Sequence, residues 1–116
     1  MAWARLDDSF YDHPKVIKLA ENHPAAGFLH VRAIAYCSKH LTDGLIPRVM
    51  VESLVPVQRD RDEQIGALVE LGFWYRAEDK DAFAIHDFLD YQPTRDEVAE
   101  KRRKDRERKR QERAAA

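Results

Sequence analysis

Apolar residues recur along this chain at helical spacing up to Gly72, then at strand-like spacing, and after Thr94 with almost no period. Behind Pro14, the residues Val16, Leu19 and Ala20 share one face, which predicts a short helix with Asp12 as its cap. Pro24 opens a longer and more apolar segment, AAGFLHVRAIAYCSKHL, whose Phe28, Leu29, Ala33, Tyr36 and Cys37 form a wide stripe. It reads as the central helix, closed at LTDG by the turn-forming Gly44. LIP is long enough only for a strand stub, and Pro47 then opens a brief helix, RVMVESLV, which stops near Pro56. Asp60 and Glu63 have the spacing of a capping box, predicting a helix from Asp60 to Leu71 that buries Ile65, Leu68, Val69 and Leu71.

FWYR and AFAIH are aromatic and branched enough to be strands, and the polar AEDKD between them suits a hairpin loop. Trp74 and Tyr75, as strand neighbours, must point to opposite faces, so one of them belongs to the core. Trp3 reads as an N-terminal anchor. Thr94 and Glu97 repeat the capping-box spacing just after Pro93 and start a last helix. The predicted architecture is mainly α with a small β-hairpin: a winged helix-turn-helix followed by a charged C-terminal helix. The domain spans residues 1–93 and the basic helical tail 94–116.

Charge divides at the same boundary. From Arg95 onward ten Lys/Arg oppose six Asp/Glu, a net of +4; the residues before it carry ten against fifteen, a net of -5. The body therefore lacks the bulk signature of a phosphate binder, and the tail has a modest one. Without an apolar stripe to bury, the tail is expected to project into solvent or fray, supported by the pairs Glu97–Lys101, Glu100–Lys104 and Asp105–Lys109. The absence of any long apolar run argues against a membrane span. The N-terminus lacks a basic region followed by an apolar one, and the lone Cys37 fits a reducing compartment, so a cytoplasmic protein is expected.

Candidate chemistry is sparse. The five histidines and Cys37 offer no second close ligand pair beside Cys37 and His40, so no metal site is expected. Cys37 reads as a small core residue and His40 as a helix-end residue able to cap carbonyls. With no phosphate loop, HExxH or nucleophile elbow, no catalytic residue and no cofactor is expected. Asp7, Asp8 and Asp12 read as solvent-facing or capping residues.

The helix beginning at Asp60 occupies the recognition position. Arg61, Gln64 and Arg59 suit base edges, whereas Asp60, Asp62, Glu63 and Glu70 repel phosphate unless they face away. Arg48 at the start of the preceding helix suits a backbone contact. The hairpin loop carries three acids and one lysine, which makes Arg76 at its base the better candidate. In the tail, Lys101, Arg102, Arg103, Lys104, Arg106, Arg108, Lys109 and Arg110 are expected along phosphates, with Lys101, Arg102, Arg103, Arg106 and Lys109 the leading candidates.

Taken together, MAWARLDDSFYDHPKV, AYCSKHLTDGLIP, LVELGFWYR and IHDFLDYQPTRDEV resemble the N-terminal domain of phage and prophage replication-initiation proteins, the replisome-organiser-like type of actinobacterial phages. The resemblance covers about Met1 to Val98. It implies a winged-helix domain that binds double-stranded DNA, in replication initiation or transcriptional regulation, with a replication or transcription protein as a further partner. Longer members continue into a domain that recruits the replication machinery; here the chain runs into its charged tail. Paired half-sites reward a homodimer, although no zipper-like repeat supports one. The rival reading is an interaction module whose acidic body binds a host or phage protein.

Overall fold

The computed structural model describes residues 3–91 and 94–115, with backbone alone at positions 90 and 91. Helices α1 (Pro14–Asn22) and α2 (Pro24–His40) are followed by strand β1 (Leu45–Pro47) and helices α3 (Arg48–Leu54) and α4 (Gln58–Glu70). Strands β2 (Trp74–Ala77) and β3 (Ala82–Ile85), a one-turn helix α5 (Phe88–Tyr91) and a long helix α6 (Arg95–Ala115) complete the order. The chain is mainly helical with one three-stranded antiparallel sheet. The stub β1 is more than a connector: it pairs with β3, Ile46 opposite Phe83, so the strand order is β1-β3-β2.

The core lies where α2, α4 and the sheet meet. Ala26, Leu29, His30, Ala33 and Cys37 occupy one face of α2 at three- and four-residue intervals and pack with Leu19, Ile46, Val51, Leu68, Trp74 and Phe83. Phe28 does not belong to that stripe. It points away from the buried face and is 66% exposed, with the Arg32 guanidinium 5.5 Å over its ring. Ala20 is likewise exposed on α1. Of the strand neighbours, Trp74 is buried and Tyr75 faces solvent. Trp3, expected to anchor the N-terminus, is 81% exposed.

Helix starts depart from two sequence expectations. His13 rather than Asp12 caps α1, its Nδ1 accepting from the Lys15 amide at 3.2 Å. The Asp60–Glu63 box does not form, because α4 begins two residues earlier, with Val57 at the cap and Asp60 already inside the first turn. That shift lets Arg61 reach back, as described below. At the start of α6 the Thr94 hydroxyl does accept from the Glu97 amide at 3.1 Å. Pro93 lies outside the described residues.

Gly44 links the sheet to α5. It has φ +93°, and a Cβ there would lie 2.8 Å from Cβ of Phe88. Only glycine allows that backbone to pass so close to a buried ring. α6 buries no residue, and as a rod about 31 Å long it accounts for much of the molecule's 59 Å long axis.

Candidate nucleic-acid interface

α3 and α4 are joined by the three residues Val55–Val57, and the β2–β3 hairpin follows α4 directly. Between α4, α3 and the hairpin lies a groove of about 340 Å³, lined by Arg48, Arg61 and Arg76 together with Gln58, Glu52 and Asp62. Three of the arginines singled out in the sequence thus meet in one place, but two of them are already engaged.

Arg48 ties the hairpin tip to α3. Its Nε and Nη2 donate to Asp81 at 2.9 and 3.1 Å, its Nη1 donates to Glu52, and its backbone N–H donates to the Asp81 carbonyl at 3.0 Å. The Asp81 carboxyl, held by this guanidinium, is pushed below its ordinary pKa. A backbone-contact role for Arg48 must therefore compete with a bidentate carboxylate. Arg61 is engaged by the backbone. Its Nη1 donates to the Val55 and Pro56 carbonyls at 3.0 and 3.3 Å, closing the α3–α4 turn rather than facing outward. Arg76 is exposed, makes no ion pair among the described residues, and stacks over Phe83 at 5.6 Å.

Gln64 lies on the opposite flank of α4, half-buried in a shallow groove with Arg32, Asp60 and Phe28. Arg59 and Gln58 are exposed at the first turn. Asp60, Asp62, Glu63 and Glu70 are also exposed, so the outer surface of α4 is net acidic. It meets no rule for an all-positive DNA surface.

The tail is helical throughout its described length, and its cations fall into two groups. Arg103 pairs with Glu100 and Glu107, Lys104 with Glu100, and Arg108 with Asp105 and Glu112. The expected pairs Glu97–Lys101 and Asp105–Lys109 are not made among the described residues; Asp105 lies 4.0 Å from Arg108 instead. Lys101, Arg102, Arg106 and Lys109 make no ion pair among the described residues. Arg103, expected on phosphate, pairs with two glutamates, with which a phosphate must compete.

Sequence reasoning missed His30. It is buried on α2, its Nδ1 accepting from Trp74 Nε1 at 3.0 Å, with Phe73 and Phe10 at ring-centroid distances of 5.1 and 6.2 Å. Burial pushes its imidazole down to about 4. It borders a cavity of about 190 Å³ whose lining mixes Phe10, Ile34, Phe73 and Phe88 with charged residues such as Asp7 and Lys15. Cys37 is buried and its thiol donates to the Leu45 carbonyl at 3.4 Å, burial pushing its pKa up. His40 packs against Tyr36, their rings 4.6 Å apart and tilted by 38°. Among the described residues no three His, Cys, Asp or Glu side chains are grouped to hold a metal ion, and no helix is long and apolar enough to cross a membrane. Comparison with protein-family models, curated proteins and solved structures found no match.

Proposed function

We propose that this protein is a non-enzymatic winged helix-turn-helix protein that binds double-stranded DNA, acting in replication initiation or transcriptional regulation of a phage or prophage. One observation carries the reading. α3 and α4 are joined by a three-residue turn, α4 leads into a hairpin, and β1 completes the sheet beside β3. In that arrangement α4 is the element presented to the major groove and the hairpin is the wing beside it. Gln58 and Arg59 then carry base contact from the exposed first turn, and Arg76 carries phosphate contact at the base of the wing. The origin and biological setting rest on the resemblance of the sequence phrases alone.

The acidic outer surface of α4 favours a second reading, an interaction module that binds a host or phage protein. A fluorescence-anisotropy titration of the full chain against random duplexes, at two salt concentrations, separates them. Under the DNA reading, binding is retained at low salt and falls steeply with added salt. Loss of all duplex binding at low salt, with a stable protein partner in pull-down, supports the interaction module instead.

A further inference from the structure

α6 sorts its charges by face. At about 100° per residue, Arg95, Arg102, Arg106, Lys109, Arg110 and Arg113 fall within one sector about 100° wide. No acidic residue enters it; the nearest, Asp96 and Asp105, lie about 40° beyond its edges. The other four cations and all six acids of the tail share the remaining surface, which is net -2 against +6 for the stripe. The ion pairs obey the same division: every one in α6 is made off the stripe, and the six stripe cations make none among the described residues.

This arrangement costs the isolated helix stability. Arg102 and Arg106, Arg106 and Arg110, and Lys109 and Arg113 are like-charge neighbours four residues apart. A solvated rod with nothing to bind is better served by mixed charge on every face. The stripe's first turn is also held to the body, where Asp43 Oδ1 accepts from the Arg95 amide at 2.7 Å.

We infer that this stripe is a rail for duplex phosphates and supplies most of the protein's affinity for nucleic acid, in place of the acidic α4. From Arg95 to Arg113 it is a straight row about 27 Å long, commensurate with most of a turn of duplex. The tail has no aromatic residue on which unpaired bases stack. It has no apolar flank to enter a bilayer interface either. Rigid, closely spaced phosphates are the polyanion that remains. The inference deepens the DNA-binding reading and rests on it for the class of ligand, but moves the affinity to a surface that reads no sequence.

Two swaps within the full chain, equal in composition and net charge, test it. Arg106→Glu with Glu107→Arg breaks the stripe; Glu100→Arg with Arg103→Glu leaves it intact and restores an ion pair in reverse. Each is titrated against a random duplex and against anionic phosphatidylserine vesicles, from about 50 to 200 mM salt, with helix content followed by circular dichroism. The expected result is that only the stripe-breaking swap weakens duplex binding and lowers the log–log salt slope, by about 1 or more. Equal slopes for both swaps and the natural chain, with duplex still bound, overturn the rail and leave the α4 reading standing. Vesicle binding without duplex binding overturns it in favour of a lipid surface. A slope lost with the stripe-breaking swap and kept with the other supports the rail.

Discussion

Trp74 Nε1 donates to His30 Nδ1 at 3.0 Å across the buried join of sheet and α2. The bond assigns the His30 proton to Nε2 and keeps the ring neutral. An imidazole that titrates at about 4 when folded and near 6.5 when unfolded binds its proton later in the folded state. The unfolded chain therefore binds more protons between those values. Stability is full above about pH 6.5 and falls as the pH drops towards 4, by on the order of 3 kcal/mol. His30→Asn keeps an acceptor but not the titration. Its melting temperature should lie below that of the natural protein at pH 7, and the gap should narrow at pH 4.5. A constant gap would sink the assignment.

Gly44 and Phe88 make a second tight relationship. Gly44→Ala combines a left-handed φ with a Cβ placed 2.8 Å from Phe88 Cβ. We expect a loss of about 1–3 kcal/mol in urea unfolding, because Phe88 is buried and its own Cβ, not a flexible tip, is in the way.

Arg59 and Arg61 sit two positions apart and should behave oppositely. Arg61→Ala removes the donor from the Val55 and Pro56 carbonyls and should cost about 1–2 kcal/mol by chemical denaturation. Arg59→Ala touches nothing buried and should leave stability unchanged while reducing discrimination between DNA sequences. The reverse pattern would show that the turn is held by other contacts and that α4 faces its partner differently.

The Arg48–Asp81 pair predicts a gain. Asp81→Asn frees Nε and Nη2 of Arg48, whose Nη1 stays on Glu52, and removes a carboxylate from the wing tip, while the backbone bond from Arg48 to residue 81 remains. Duplex binding at low salt should tighten several-fold, with little change in melting temperature. Weaker binding would mean that the ion pair holds the wing in its binding position.

Much of the architecture was legible in the chain itself. Prolines at positions 14 and 24, glycines at 44 and 72, and apolar residues at helical spacing mark the helices, because these signals act through local backbone geometry. The tail's exposure followed from its lack of anything apolar to bury. The stripe on α6 was also legible, since periodicity alone assigns Arg95 and Arg113 to it beside the cations already named, yet counting charge along the tail without its faces passed over those two.

Other features depend on neighbours far away in sequence. LIP becomes a strand only because β3 lies beside it, and Phe28 is outside because α4 and the sheet approach the other side of α2. His30 is part of the core because an indole from residue 74 meets its Nδ1. The partners of Arg48 and Arg61 are set by where the wing tip and the α3–α4 turn come to rest. By itself the sequence determined which segments fold and where charge accumulates, since backbone preference and burial are local or summed quantities. Which arginines are spent on the fold and which remain for a partner was decided by tertiary structure alone, because a guanidinium reaches across turns to whichever carbonyl or carboxylate packing brings near.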